Sequence, residues 1–212
     1  MLQIIETFKS VQGESTHAGK VCFFIRLSGC NLRCNYCDTE YAWQGGNWRS
    51  VDDLISEVEA AGCTTVEITG GEPLLQKETP LLAEKLLAIG KEVLIETNGS
   101  VDFSILPPGC RRIVDCKLPA SGMEQHNCYD AYCHLCPLDE VKFVVSDRKD
   151  FDFAVNVIKQ YHLEEKTPHL LFSPVWGRIS PEDLAELVVN CKIPVRMQIQ
   201  MHKVIWGDKK GV

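Results

Sequence analysis

The chain has 212 residues, of which 45% are hydrophobic and 24% are charged, and its formal net charge is −7. No stretch approaches the roughly 18 apolar residues of a membrane span, the first residues lack the features of a secretory signal, and no basic stripe suggests nucleic-acid binding. We therefore expect one cytoplasmic domain over residues 1–212, with neither a membrane nor a nucleic acid as partner.

Eleven cysteines are many for a chain of this length. In a short secreted protein they would indicate disulfides, but this chain is long enough to bury a core and shows no secretion signal. In a reducing compartment, clustered cysteines are more often metal ligands or catalytic groups. The cysteines therefore direct the search toward metal chemistry.

Strand-like and helix-like segments alternate along the chain. Ser50 and Asp53 form a capping-box pattern that predicts a helix start, and Ser180 followed by Pro181 and two acids predicts another. The predicted strands cover residues 21–27, 64–69, 92–97, 113–116, 140–145, 169–172 and 195–200. The predicted helices cover residues 51–61, 80–89 and 151–161 and a segment beginning at residue 181. This alternation predicts an α/β fold of parallel βα units, either an open sheet or an incomplete barrel.

Cys30, Cys34 and Cys37 lie within eight residues, directly after the first predicted strand. Three thiolates can ligate three irons of a [4Fe–4S] cluster and leave the fourth iron open. An open iron can chelate the amino and carboxylate groups of a methionine moiety, and the radical chemistry that follows belongs to the cofactor. The alternatives are a zinc site, which would need a fourth ligand, and a redox dithiol, which would leave one cysteine unexplained.

The segment Thr69-Gly70-Gly71-Glu72-Pro73 closes the next predicted strand. Backbone without side chains can approach a ligand closely at such a position, and the carboxylate can meet an ammonium group. Alone, the segment would indicate only a turn at the end of a strand. Together with the three cysteines, it supports a ligand site at the carboxyl ends of the strands.

The spacing Cys30-x3-Cys34-x2-Cys37 and the later Gly-Gly-Glu-Pro resemble the pattern of the radical SAM superfamily. Within that superfamily the chain is similar, almost end to end, to the 7-carboxy-7-deazaguanine synthase family of the queuosine and deazapurine pathway. The segments that carry this closer resemblance are Gln12-Gly13-Glu14, Cys37-Asp38-Thr39, Glu96-Thr97-Asn98-Gly99, Glu140-Val141-Lys142-Phe143-Val144 and Trp206-Gly207-Asp208-Lys209-Lys210-Gly211-Val212.

The resemblance implies a shortened, partial barrel of the TIM type, commonly present as a homodimer. It implies a lyase that converts 6-carboxy-5,6,7,8-tetrahydropterin to 7-carboxy-7-deazaguanine with loss of ammonia. In that reaction a 5′-deoxyadenosyl radical would abstract the C6 hydrogen before the pterin ring contracts. The implied cofactors are a [4Fe–4S] cluster, S-adenosylmethionine and Mg²⁺, with an electron donor such as a flavodoxin or ferredoxin.

Residue by residue, the resemblance assigns the cluster to Cys30, Cys34 and Cys37, and Mg²⁺ to Thr39. It assigns S-adenosylmethionine to Tyr36, Cys37, Asp38, Gly71, Glu72, Asp115, Cys116, Lys117, Ser173, Pro174, Val175 and Trp176. It assigns the pterin to Gln12, Gly13, Glu14, Arg26, Thr69 and Val212.

These residue types suit the ligands that the resemblance assigns to them. Glu14 can accept hydrogen bonds from the guanidine-like edge of the pterin, and Arg26 can pair bidentately with its carboxylate. Magnesium keeps much of its hydration, so a single hydroxyl from Thr39 suffices beside substrate oxygens and water. The sequence singles out no catalytic acid or base, and the possible groups are Glu14, Glu96, Lys117, Lys142 and His202.

Four further cysteines, Cys116, Cys128, Cys133 and Cys136, stand outside the resemblance. They would form a second metal site or serve as scattered buried thiols, and the sequence leaves both readings open. Two other functions also remain open. One is a radical SAM activase that generates a glycyl radical on a partner protein, and the other is a non-catalytic iron–sulfur or zinc binding module.

Overall fold

Alternating strands and helices are present in the computed structural model, which describes residues 1–207 and 209–212. Asp208, part of the terminal motif, lies outside the described residues. The strands are β1 (Leu2–Val11), β2 (Val21–Leu27), β3 (Asn47–Arg49), β4 (Thr65–Gly70), β5 (Glu92–Thr97), β6 (Arg111–Asp115), β7 (Glu140–Val145), β8 (Leu170–Pro174) and β9 (Arg196–Met197). The α-helices are α1 (Val51–Ala61), α2 (Thr79–Ala88), α3 (Arg148–Tyr161), α4 (Leu163–Lys166), α5 (Pro181–Val189) and α6 (Met201–Trp206).

In the described residues the nine strands form one sheet, in the order β3-β1-β2-β4-β5-β6-β7-β8-β9. Strands β2 and β4 to β9 run parallel, whereas β1 pairs antiparallel with β2 and β3. Apart from β3, which lies at the edge beside β1, the strands from β2 onward follow the chain order, so each crossover between parallel strands advances in the same direction. Right-handed crossovers then place the helices on one face of the sheet, as in a barrel. Because the edges β3 and β9 do not pair with each other within this part of the chain, the predicted partial barrel is confirmed.

The predicted elements agree best with the structure in the middle of the sheet. Strands β2, β5 and β7 and helix α1 have the predicted bounds, and α1 begins with the predicted capping box of Ser50 and Asp53. Strands β1 and β3 and helices α4 and α6 have no counterpart among the predicted elements. Strand β9 is shorter than the predicted 195–200, because the chain leaves the sheet and the Met201 N–H donates to the Gly13 carbonyl at 2.9 Å.

Side chains alternate between the two faces of the sheet. On β4, Val66 and Ile68 pack in the main hydrophobic core on the helix side, whereas Glu67 and Thr69 line the inner side. The helices contribute Leu54, Val58, Leu82, Leu86, Ala154 and Ile158 to this core, all buried. A closed TIM barrel fills its interior with branched apolar side chains, but here the inner side carries polar and charged groups around a cavity. Among the helices described, none combines the length and apolar character needed to cross a membrane.

Candidate active site

A cavity of about 650 Å³ opens inside the partial barrel. The loop that follows β2 carries the three predicted cluster ligands and lines one end of the cavity; we call it the cysteine loop. Residues 12–20 connect β1 to β2 and lie at the other end; we call them the base loop. Residues near the C-terminus, including Val212, complete the wall. Of the residues predicted to bind metal, cofactor or substrate, all line this cavity except Glu72, Cys116, Ser173 and Pro174.

The Gly70-Gly71 pair allows β4 to end directly against the cysteine loop. The Gly71 N–H donates to the Leu27 carbonyl at 3.2 Å. A Cβ atom on Gly70, whose φ is +145°, would overlap the Leu27 backbone, and one on Gly71 would overlap the Gly29 carbonyl and the Cys30 side chain. Glycine is required at both positions for this close approach, and the backbone that comes close is that of the cysteine loop.

The thiols of Cys30, Cys34 and Cys37 are free and line the cavity. The Leu32 N–H and the Asn98 side-chain amide lie 3.4 and 3.7 Å from Cys30 Sγ, and such N–H···S contacts tune iron–sulfur clusters. Among the described residues, no three His, Cys, Asp or Glu side chains are placed to hold a single metal ion.

Burial and charge shape the electrostatics beside the cysteine loop. Burial raises the pKa of Cys34 and of Cys37, and bound iron would displace these protons because a metal-bound thiol is deprotonated. Burial also raises the pKa of Tyr36, whose hydroxyl donates to the β7 backbone at 3.2 Å. Lys117 donates to Asp115 Oδ2 at 2.8 Å. Burial alone would lower the pKa of Lys117, but the negative charge of Asp115 raises it. This end of the cavity therefore holds a fixed cation beside the thiols.

Lys142 lies at the centre of the charged interior. Its ammonium group donates to Glu14 Oε2 at 3.0 Å and to Glu96, and lies 3.9 Å from Asp115 Oδ2. Although burial acts in the opposite sense, these acids raise the pKa of Lys142. Burial would raise the pKa of Glu96, but Lys142 and the Thr69 hydroxyl, 3.0 Å away, hold it below its usual range. Lys142 and Glu96 therefore remain charged at neutral pH.

Glu67 is a cavity residue that the motifs do not reveal. It lies in the middle of β4, is buried, and accepts a hydrogen bond from the Gln12 side-chain amide. Burial, together with the charge of Glu96, raises the pKa of Glu67 well above its usual range. The available signal in the sequence is a carboxylate inside an otherwise β-branched strand, where a buried acid requires a partner or a proton.

Glu72, which the resemblance assigns to S-adenosylmethionine, is buried directly behind the residues that line the cavity. Its carboxylate is fully buried and accepts from Leu74 N at 2.9 Å, from Thr97 Oγ1 at 3.0 Å and from Asn98 N at 2.6 Å. Burial raises the pKa of Glu72 to about 7, against the effect of these donors. The side chain therefore joins the end of β4 to the end of β5.

Cys116, Ser173 and Pro174 also lie behind the cavity wall, where all three are buried. None of the three is among the residues that line the cavity. Burial raises the pKa of Cys116 to about 12, whereas Cys133 is exposed at the surface. Cys116 therefore lies in the interior and Cys133 faces solvent, and the second metal site stays a prediction.

Arg26 and the C-terminal residues form the remaining wall. The Arg26 Nε atom donates to Glu6 Oε1 at 2.7 Å, and the Tyr41 hydroxyl donates to the same oxygen at 2.8 Å. Lys210 Nζ lies 4.3 Å from the centroid of the Tyr41 ring, which brings the end of the chain over this group. The cavity thus has a fixed guanidinium at the side where the C-terminal segment crosses it.

Replacing Lys142 with methionine should lower the free energy of unfolding by about 3–5 kcal/mol, because it leaves buried carboxylates without their cation. The matched control is Lys85→Met, which removes an exposed lysine that pairs with Asp52 at 2.6 Å and should cost no more than about 1 kcal/mol. Urea unfolding at neutral pH measures both losses. Equal losses of stability in the two variants would contradict the conclusion that Lys142 neutralises the buried carboxylates.

The chain is similar to a known protein family and to several known proteins. The family model described as the radical SAM superfamily matches residues 24–118. The chain is 42% identical over 226 residues to the 7-carboxy-7-deazaguanine synthase of Koribacter versatilis, with 100% of both chains covered. It is 40% identical over 215 residues to the 7-carboxy-7-deazaguanine synthase of Chlorobaculum tepidum, covering 100% of this chain and 97% of that protein.

The crystal structure of QueE from Escherichia coli has a similar fold, with a TM-score of 0.77. It covers 95% of this chain and 94% of its own, at 23% sequence identity, a level at which the likeness concerns the fold alone. The family follows from the full-length sequence identities, which also confirm the resemblance inferred from the motifs. The chain belongs to the 7-carboxy-7-deazaguanine synthase family, within the radical SAM superfamily.

Proposed function

We propose that this protein converts 6-carboxy-5,6,7,8-tetrahydropterin to 7-carboxy-7-deazaguanine with loss of ammonia. The observation that carries the proposal is one cavity with three free thiols at one end and a network of buried charges at the other. When bound to these thiols, a [4Fe–4S] cluster would supply the one-electron cleavage of S-adenosylmethionine. The chain itself binds, orients and shields the reactants.

The proposed cluster ligands are Cys30, Cys34 and Cys37. The proposed S-adenosylmethionine residues with cavity-lining side chains or backbone are Tyr36, Cys37, Asp38, Gly71, Asp115, Lys117, Val175 and Trp176. The other residues proposed for S-adenosylmethionine, Glu72, Cys116, Ser173 and Pro174, are buried behind this lining. The Lys117–Asp115 pair gives this end of the cavity fixed donors and acceptors for a zwitterionic ligand.

The pterin is proposed to lie over the base loop, against Gln12, Gly13, Glu14, Arg26, Thr69 and Val212. Glu14 Oε1 accepts from the Gln200 amide at 3.0 Å, while Lys142 holds the other oxygen. The carboxylate is thus fixed in place to accept hydrogen bonds from the amino and ring N–H groups of a pterin. Arg26, held by Glu6, supplies the cation for the substrate carboxylate.

Thr39 is proposed to bind Mg²⁺ through its hydroxyl. Its Oγ1 atom donates to Asp38 Oδ1 at 2.8 Å and lines the cavity. Two neighbouring protein oxygens at the edge of a solvent-filled space suit an ion that keeps several waters and completes its shell with substrate oxygens.

The partners and setting of the enzyme are also proposals. The pterin is the small-molecule substrate, and a flavodoxin or ferredoxin supplies the electron. We further propose a cytoplasmic homodimer in which residues 1–212 form one domain. The single sheet that runs from Leu2 to Met197 supports the one-domain proposal, and the free state of all eleven cysteines in the described chain suits a reducing compartment.

One anaerobic assay tests the proposed function against its alternatives. The reconstituted protein is mixed with dithionite, S-adenosylmethionine, Mg²⁺ and the carboxytetrahydropterin, and the products are separated by chromatography. The expected result is the deazaguanine product. Formation of 5′-deoxyadenosine without that product would favour the activase, and formation of neither compound would leave only the binding module.

Cys34→Ala should abolish S-adenosylmethionine cleavage, because it removes one of three thiolates on which the cluster depends. The matched control is Cys133→Ala, which removes an exposed thiol and should preserve both iron content and cleavage. Iron and sulfide analysis together with 5′-deoxyadenosine formation measures the difference. Normal iron content in the Cys34 variant would contradict its assignment as a ligand.

Thr39→Ala should raise the Mg²⁺ concentration needed for half-maximal activity by roughly tenfold, the value of one lost ligand contact of about 1.4 kcal/mol. Thr39→Ser keeps the hydroxyl and should behave like the unchanged protein. The measurement is the product-forming rate across an Mg²⁺ titration. An alanine variant with an unaltered Mg²⁺ response would remove Thr39 from the metal site.

A further inference from the structure

The base loop presents residues to the cavity, although it lies at the opposite end of the barrel from the cysteine loop. Its first residues, Gln12 to Glu14, line the cavity. The Gln12 amide donates to Glu67, and Glu14 pairs with Lys142. The position of this loop therefore sets the position of two polar groups beneath the proposed pterin.

His17 anchors the base loop to the amino ends of two strands. Its side chain is only 5% exposed, and its Nε2 atom lies 2.8 Å from Oε1 of Glu92, the first residue of β5. Its Nδ1 atom lies 3.7 Å from Oε1 of Glu140, the first residue of β7. The neighbouring Thr16 N–H also donates to Glu140 at 3.0 Å. A protonated imidazole would thus be held between two carboxylates from separate strands.

The backbone conformation beside His17 is strained, so the loop must be held in place by contacts with the rest of the protein. Ser15 has a φ of +64°, in the left-handed region that residues other than glycine rarely occupy. Its hydroxyl accepts a hydrogen bond from the His17 N–H at 3.0 Å. A strained conformation persists only where surrounding contacts enforce it. The contacts of Thr16 and His17 with Glu140 and Glu92 supply that enforcement directly after the strained residue.

We propose that protonated His17 is a positioning residue, which holds the base loop so that Gln12 and Glu14 face the substrate correctly. The inference rests on the proposed function only in taking the pterin as the ligand above the loop. It concerns a residue outside the cavity, since His17 does not line it. His17 acts through the loop and does not touch substrate.

The charges around His17 fix the sign of the expected pH effect. Glu140 and Glu92 face the ring from β7 and β5, whereas Arg111, the first residue of β6, opposes its charge. Lys20 pairs with Glu92 from the surface at 3.0 Å. The two acids prevail over burial and Arg111, so the pKa of His17 is raised. The anchor is therefore complete below about pH 6.5, the ordinary histidine value, and weakens as pH rises through the raised value.

The two carboxylates stay ionised across this range. Although burial acts in the opposite sense, hydrogen bonds from His17, Lys20 and Thr65 lower the pKa of Glu92 to about 2. His17 and Thr16 likewise hold the pKa of Glu140 below its usual value, against the effect of burial. The proton on His17 is thus the charge that changes near neutral pH in this cluster.

The test measures substrate affinity against pH in the reconstituted enzyme with S-adenosylmethionine and without reductant, so that no turnover occurs. Calorimetry should show the Kd for the carboxytetrahydropterin rising roughly fivefold as His17 loses its proton, the ratio expected when a charge-assisted hydrogen bond becomes a neutral one. In His17→Gln the Kd should stay at the higher value at every pH. The matched control, Lys20→Gln, removes the other cation on Glu92 and should keep the pH dependence.

Two further measurements test the positioning role of His17 without relying on enzyme activity. The imidazole resonance of His17 should titrate with the same midpoint as the Kd, even if the glutamine variant fails to fold. Amide hydrogen exchange across residues 12–20 should be faster in His17→Gln than in the unchanged protein at low pH and equal at high pH. An unchanged pH slope in the variant, different midpoints or equal exchange at all pH values would overturn the inference. Failure of the proposed function would appear separately, as absence of product in the anaerobic assay.

Discussion

A lysine ammonium enclosed by carboxylates permits a polar barrel interior in this protein. Removing charges from water costs several kcal/mol per ion unless each meets a partner, and the acids Glu14, Glu96 and Asp115 all lie within 4 Å of Lys142 or pair with it directly. Glu67 is not paired with Lys142, and burial raises its pKa well above the usual range. The ammonium group thereby stabilises a polar interior, and the space among these polar side chains is the cavity.

At each end of this cavity, residues at the strand ends hold a loop in position. At the carboxyl ends of the strands, the buried carboxylate of Glu72 joins β4 to β5, and the Gly70-Gly71 pair brings the cysteine loop against them. At the amino ends, Glu92 and Glu140 hold the base loop through His17 and its neighbours. Carboxylates on rigid strands position the base loop, and the glycine backbone at the end of β4 positions the cysteine loop, which is how a sheet gives precision to residues outside it.

The sequence predicted the elements whose signals are local and missed those that depend on distant contacts. The capping box at Ser50 and the spacing of the three cysteines are patterns of a few consecutive residues, so helix α1 and the cysteine loop could be predicted. Strand β1 is half-buried along much of its length and is defined by its pairing with β2, which no local pattern reveals. The roles of Glu67, Glu72 and His17 depend on burial and on partners more than 20 residues away. Motif residues therefore indicated the chemistry, while the supporting residues required the structure.

An open barrel encloses a cavity only if something covers its open side, and here the last residues of the chain do so. After β9 the Met201 N–H donates to the Gly13 carbonyl, and the Gln200 amide donates to Glu14. The His202 ring fills the space that a side chain on Gly13 would occupy, so glycine at this position lets the C-terminal segment rest on the base loop. The loop is consequently held from two directions, by His17 at the amino ends of the strands and by residues 200–202 from the open side. A closed barrel would have further strands on this side, where residues 200–202 contact the base loop instead. The shape of the cavity therefore depends on the base loop as well as on the sheet.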